Sequence, residues 1–107
     1  SHGMESKVEG VLEGRKVLIV DDVATTGQSL LTSAKALKAL NASVVAAAAV
    51  VDREQGARGV LASEGIKLYT LITVTEIFNV LLKEGLIDNA TYREVMEYTL
   101  RFKVRRL

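Results

Sequence analysis

Apolar residues form short runs and helical stripes that alternate along the chain. Val17–Val20 would be apolar on both faces of a strand, with Gly14 before it and Asp21 and Asp22 after it. The next stretch, Gln28–Leu40, has helical spacing of its apolar residues, namely Leu30, Leu31, Ala34, Leu37 and Leu40. Strands that are apolar on both faces are typical of parallel sheets covered by helices. The pattern predicts a buried strand followed by an amphipathic helix.

The alternation continues towards the C-terminus. Ser43–Val51 predicts a second strand, whose alanines indicate a closely packed helix, and Ile66–Ile72 predicts a third strand. Helices are predicted over three further stretches: Glu54–Ser63, Thr73–Gly85 and Asp88–Arg101. Strands and helices in this order predict an α/β fold, a partial doubly wound parallel sheet of three strands with flanking helices. Because so small a sheet with open edges is a poor independent fold, we expect the chain to be part of a larger domain.

Composition narrows the classes of protein and partner. The 107 residues are 49% hydrophobic and 25% charged, which is ordinary for a globular chain. A formal net charge of +1 gives no reason to expect a nucleic acid or an acidic membrane surface as partner. The chain has no cysteine, which excludes disulfides and thiolate metal sites and is compatible with the cytoplasm. Val44–Val51, the longest apolar run, is too short to span a bilayer.

Side chains that could bind a ligand are concentrated where the first predicted strand ends. Asp21 and Asp22 are followed by a small, hydroxyl-rich loop that turns at Gly27 and leads into a helix. Free N–H groups at a helix N-terminus bind phosphate, and carboxylates accept hydrogen bonds from sugar hydroxyls. The combination predicts a site for a ribose 5-phosphate unit, and residues Thr25–Ser29 are called the phosphate loop below.

This segment resembles the phosphoribosyl-pyrophosphate (PRPP) signature of type I phosphoribosyltransferases. The resemblance implies that Asp21 and Asp22 hold the ribose hydroxyls. It also implies that the 5′-phosphate is bound by Thr25, Thr26, Gly27, Gln28 and Ser29, with Val23 and Ala24 leading into the loop.

A second segment, Val50–Gly56, resembles the Asp-Arg motif of orotate phosphoribosyltransferases. The resemblance implies that Arg53 and Thr25 contact orotate, and a planar guanidinium suits a carboxylate-bearing pyrimidine. The similarity extends over about residues 8 to 100 and is greatest to the orotate domain of eukaryotic uridine monophosphate (UMP) synthases. If the resemblance is set aside, the residues Asp52, Arg53 and Glu54 are also compatible with a surface ion-pair cluster.

The resemblance carries further expectations. The reaction is transfer of phosphoribosyl from PRPP to orotate, which gives orotidine 5′-monophosphate and pyrophosphate in pyrimidine (UMP) biosynthesis. Mg²⁺ arrives with PRPP, and no residue is assigned as a metal ligand. The protein is expected to be a cytoplasmic homodimer, fused to orotidine monophosphate decarboxylase in bifunctional members of the family.

Residues 1–107 are interpreted as the C-terminal, PRPP-binding part of the domain. Within them, residues 1–10 are either a tag scar or a remnant of the mobile catalytic loop, and in the second case His2 is a catalytic loop residue. The lysine of that loop has no counterpart, so we expect this polypeptide alone to be inactive or nearly so.

Two other functions stay open. A PRPP-binding regulator would use the same fold without catalysis. A response-regulator receiver would share the first strand and its acidic pair, with Asp52 as the phosphorylated residue, but it would also need a lysine after its last strand. The segment Ile72–Val74 offers none.

Overall fold

A computed structural model describes residues 13–105 of the chain, and for residues 102–105 it describes the backbone only. Seven elements follow one another in this range: β1 (Lys16–Ala24), α1 (Gln28–Ala39), β2 (Ser43–Asp52), α2 (Ala57–Ala62), β3 (Lys67–Thr73), α3 (Val74–Lys83) and α4 (Asn89–Arg105). The order of strands and helices is the order that the sequence predicts.

The three strands form one parallel sheet in the order β1-β2-β3, with β2 in the centre. Val20 lies beside Ala48, and Ala48 lies beside Tyr69. Right-handed crossovers between strands that neighbour each other in this order place both connecting helices on the same face of the sheet. The predicted α/β class, with three parallel strands and flanking helices, is confirmed.

The core lies between this face and the two connecting helices. Leu30 and Ala34 of α1 and Ala57 and Leu61 of α2 form one buried cluster with residues of β2 and β3, namely Ala47, Ala49 and Leu68. Because alanine has a short side chain, the central strand allows both helices to approach closely. The prediction of a closely packed helix over β2 is therefore confirmed.

The other face of the sheet is apolar and exposed in the part of the chain that the structure describes. Leu18 and Val20 of β1 and Tyr69 and Leu71 of β3 are all at least half exposed, and Leu71 reaches 82%. Parallel sheets are normally covered on both faces. The described residues thus supply one helical layer of a doubly wound sheet.

Several boundaries differ from the predicted ones, and two of these differences, each of three or more residues, lie next to the C-terminal edge of the sheet. β1 includes Asp21 and Asp22, because its pairing with β2 continues as far as Ala24, opposite Asp52. Helix α2 begins at Ala57, three residues later than predicted, since Glu54 and Gly56 have φ angles of 59° and 107°. Helical residues have negative φ, so these two positions cannot continue a helix.

The C-terminal helices agree with the prediction in their packing. Thr73 and Glu76 form the expected capping box at the start of α3. Along α4 the predicted stripe faces inwards: Tyr92, Val95 and Met96 are half-buried and Thr99 is buried. No helix within the described range has the length and apolar character needed to cross a membrane.

Candidate functional site

Two loops start side by side at the C-terminal edge of the sheet. β1 ends at Ala24 and β2 ends at Asp52, and these residues are partners in the parallel ladder. The phosphate loop follows the first strand, and residues 53–56, called the β2–α2 loop below, follow the second. Ligands of open α/β sheets bind beyond the carboxyl ends of the strands. The topology therefore brings both predicted binding segments to the edge where a ligand is expected.

The two acidic residues lie near the C-terminal end of strand β1. Asp21 is half-buried and Asp22 is exposed. Successive side chains of a strand point to opposite faces, so the two carboxylates leave β1 in different directions. Each is oriented by the next residue, because Asp21 Oδ1 accepts a hydrogen bond from the Asp22 N–H and Asp22 Oδ1 accepts one from the Val23 N–H, both at 2.8 Å. A sugar that contacts both carboxylates must lie across the strand.

The phosphate loop leads directly into α1. Gly27 is the N-cap residue, with a φ of 88°, and the Gly27 carbonyl accepts the hydrogen bond from the Leu31 N–H at 2.9 Å. Thr26, Gln28 and Ser29 are exposed, whereas Thr25 is half-buried. N–H groups in the first turn of a helix have no intrahelical acceptor and favour anions. The exposed loop and helix start have the features of a phosphate site.

Val23 and Ala24 differ in what they can offer a ligand. Val23 is 38% exposed, while Ala24 is buried in the core. The Ala24 carbonyl accepts a hydrogen bond from the Arg53 N–H at 2.9 Å. Ala24 therefore positions the neighbouring loop.

Main-chain contacts join the two loops. The Thr25 carbonyl accepts a hydrogen bond from the Ala57 N–H at 3.2 Å, in addition to the bond between Arg53 and Ala24. At Gly27 the phosphate loop lies so close to the start of α2 that a Cβ would be 2.9 Å from the Ala57 Cα. Glycine is thus required for the turn and also for this approach between backbones, which the sequence does not indicate.

The buried carboxylate of Asp52 anchors the β2–α2 loop. Its Oδ1 accepts a hydrogen bond from the Glu54 N–H at 2.8 Å, and its Oδ2 lies 3.6 Å from the Arg58 guanidinium. Arg58 also donates to the Leu68 carbonyl at 2.6 Å and to the Thr70 hydroxyl at 3.2 Å. Asp52 is only 5% exposed, an unsuitable position for a phosphorylated receiver aspartate.

Arg53 has a different environment from Arg58. Its side chain is exposed, and within residues 13–105 no hydrogen bond or ion pair involves its guanidinium. Asp52 pairs with Arg58, and Glu54 binds Thr75, so the three residues 52–54 do not form an ion-pair cluster with one another. Sequence reasoning missed Arg58 and Thr75, because their separation from these partners follows no local periodicity.

The prediction for the catalytic loop lies outside the described residues, and the expected metal has no assigned ligand. His2 and the rest of residues 1–12 lie outside the described residues. Within the described range there is no group of three His, Cys, Asp or Glu side chains that could hold a metal ion.

Comparisons with known proteins give the family. The model of the phosphoribosyl transferase domain matches residues 2–77. The orotate phosphoribosyltransferase of Staphylothermus marinus is 44% identical over 102 residues, which is 95% of this chain and 50% of that protein. The chain spans about half the length of the curated relatives it matches.

Solved structures agree with this result. The orotate phosphoribosyltransferase of Mycobacterium tuberculosis, crystallised with PRPP, is 35% identical, with a TM-score of 0.58 over 61% of this chain and 39% of that one. The UMP synthase of Leishmania donovani is 22% identical, with a TM-score of 0.76 over 91% of this chain and 21% of that one, so that likeness confirms the fold alone. The similarity to orotate phosphoribosyltransferases inferred from the motifs is confirmed, and the chain belongs to the phosphoribosyl transferase domain family.

Proposed function

We propose that this chain is the PRPP-binding part of an orotate phosphoribosyltransferase. One observation carries the proposal: at the carboxyl edge of the sheet, main-chain hydrogen bonds join the start of the phosphate loop to the two ends of the β2–α2 loop. The Arg53 N–H donates to the Ala24 carbonyl, and the Ala57 N–H donates to the Thr25 carbonyl. A sugar phosphate at one loop and a planar acid at the other would therefore lie next to each other. Relatives at 37–44% identity over most of this chain are orotate phosphoribosyltransferases, which supports the choice of reaction.

In the proposed reaction the bond between ribose C1 and the pyrophosphate oxygen breaks, a bond between C1 and a ring nitrogen of orotate forms, and the proton that this nitrogen loses is taken up by the released pyrophosphate or by water. The N–H groups at the start of α1 and the exposed loop hydroxyls bind the 5′-phosphate. Asp21 and Asp22 accept hydrogen bonds from the ribose hydroxyls and so fix the sugar ring. Arg53 binds the carboxylate of orotate. These contacts hold the two reactants in one orientation, which lowers the entropic part of the barrier.

Magnesium is assigned to the substrate. The carboxylates of Asp21 and Asp22 diverge, and the described residues contain no three-ligand cluster, so the oxygens of PRPP would supply most of its ligands. Bound in this way, the ion would stabilise negative charge on the departing pyrophosphate. The homodimer, the cytoplasmic location and the decarboxylase fusion stay predictions from the resemblance.

Substitutions in the intact protein, meaning the product of the complete reading frame, separate the two binding roles. Replacing Asp21→Asn together with Asp22→Asn should weaken PRPP binding, with about 1.5–3 kcal/mol lost for each charge-assisted hydrogen bond. Arg53→Ala should leave PRPP binding unchanged and raise KM for orotate. Arg93 is an exposed arginine on α4, and Arg93→Ala is the control for loss of one positive charge.

Isothermal titration calorimetry with PRPP and a steady-state assay of orotidine monophosphate formation provide the measurements. Unchanged orotate kinetics in Arg53→Ala would remove the reason for naming the base. A protein that binds PRPP but does not use orotate would be a regulator. Formation of orotidine monophosphate at an ordinary enzymatic rate by the 107-residue chain alone would contradict its expected inactivity.

A further inference from the structure

Glu54 has an unusual backbone conformation within the β2–α2 loop. Its φ angle is 59°, in the left-handed region that residues with a side chain rarely adopt. Asparagine and aspartate adopt this region more readily than glutamate, because their short side chains bond to the nearby backbone. The surrounding structure must therefore hold Glu54 in place. Outliers of this kind are concentrated at functional sites.

The side chain of Glu54 reaches a distant part of the chain. Its Oε1 accepts two hydrogen bonds from Thr75, one from the main-chain N–H at 2.8 Å and one from the hydroxyl at 2.5 Å. Thr75 is the second residue of α3, where main-chain N–H groups lack intrahelical acceptors and negative charge is favoured. The contact is partly buried, which limits competition from water. It ties the β2–α2 loop to α3 across 21 residues.

The neighbouring residues of the loop are fixed on the other side. The Glu54 N–H bonds to Asp52 Oδ1, and the Arg53 N–H bonds to the Ala24 carbonyl. The loop is thus held between the end of β1 and the start of α3. Arg53 is attached to β1 through its own main-chain N–H, and its side chain is exposed. The left-handed backbone of Glu54, the next residue, sets the path of the chain that leaves Arg53.

We propose that Glu54 is a positioning residue for recognition of the base: its hydrogen bonds to Thr75 hold the loop in the conformation that presents Arg53 to a planar carboxylate-bearing ring. The proposal rests on the proposed function above, because it assigns a second residue to the same orotate site. Glu54 acts through Arg53 and does not touch the substrate.

Glycine at position 54 separates the effect of the Glu54 carboxylate from the effect of its left-handed backbone. Glycine adopts a positive φ without strain, so Glu54→Gly allows the loop to keep its backbone conformation. The variant has no carboxylate and therefore removes the hydrogen bonds to Thr75. In the intact protein we expect KM for orotate to rise roughly tenfold or more, as for loss of a charge-assisted hydrogen bond. KM for PRPP should change less than about twofold, because the phosphate loop is bonded elsewhere.

Conservative variants provide the controls. Glu54→Gln retains an acceptor oxygen and should recover part of the orotate affinity, and Thr75→Ser should behave as wild type. Thr75→Val removes only the hydroxyl, and its effect should be smaller in the Glu54→Gly background than in wild type, since both changes act on one contact. This variant retains Glu54, so it also tests the proposal if Glu54→Gly does not fold.

Two results would overturn the proposal. In the first, Glu54→Gly and Thr75→Val leave KM for orotate unchanged although Arg53→Ala raises it; the proposed function would then stand and the positioning role would fail. In the second, both KM values rise equally together with a lower Tm, which indicates general loss of structure. If the wild-type intact protein makes no orotidine monophosphate, the proposed function itself is wrong.

Discussion

Replacing Gly27 by alanine tests the close approach between the two loops. At a φ of 88°, an alanine would adopt a left-handed conformation, which costs about 1–2 kcal/mol. Its Cβ would also lie 2.9 Å from the Cα, 3.2 Å from the carbonyl oxygen and 3.3 Å from the Cβ of Ala57. Overpacking of this kind costs about 1–3 kcal/mol. We therefore expect Gly27→Ala to lower the free energy of unfolding by about 2–5 kcal/mol.

Gly65 provides a matched control for the conformational part of this effect. It also has a positive φ, 74°, but an added Cβ would have no neighbour within 4 Å. Gly65→Ala should therefore show only the cost of the left-handed conformation. The entropic effect of Gly→Ala on the unfolded chain is common to both variants. The difference between them isolates the contact with Ala57.

Thermal unfolding followed by circular dichroism gives the comparison. Because 1 kcal/mol shifts Tm by about 2–4 °C in a domain of about 150–250 residues, Gly27→Ala in the intact protein should melt at least about 2 °C below Gly65→Ala. Adding Ala57→Gly should recover little, since two of the three close atoms belong to the backbone of residue 57. Equal Tm values for the two alanine variants would refute the argument for a rigid contact between the loops.

Two further predictions concern the sheet and the start of α4. Leu68→Ala in the intact protein should lower the free energy of unfolding by about 2–5 kcal/mol in urea denaturation, because Leu68 is 1% exposed; an effect below about 0.5 kcal/mol would place the wrong face of β3 in the core. At Asp88, hydrogen bonds from the main-chain N–H of Thr91 and then from its side chain hold the pKa of the carboxyl below its ordinary value of 3.8. This depressed pKa contributes stability that is present above pH 3.8 and is lost as the pH falls through the folded-state pKa. The Tm difference between wild type and Asp88→Asn should therefore shrink in acid, and a difference that is constant from pH 7 to pH 2 would contradict the assignment.

Local patterns were sufficient to predict the order of elements and to propose the segments that carry the chemistry. Val17–Val20, Gln28–Leu40 and the capping box at Thr73 could be interpreted from sequence because strand, helix and cap each depend on residues a few positions apart. The phosphate loop could be proposed for the same reason, since its candidate binding groups are contiguous. The start of α2 was wrong, because apolar spacing does not reveal the left-handed backbone of Glu54.

Contacts between distant segments were decided by the tertiary structure. Three contacts depend on the order of the strands and on the handedness of the crossovers. They are the pair of Asp52 with Arg58, the hydrogen bonds of Glu54 with Thr75, and the approach of Gly27 to Ala57. The sequence also predicted strands apolar on both faces without indicating which face α1 and α2 would cover. Periodicity specifies that a side chain is apolar, but its neighbours are determined only when the strands are placed side by side, and the geometry of this site is made of those neighbours.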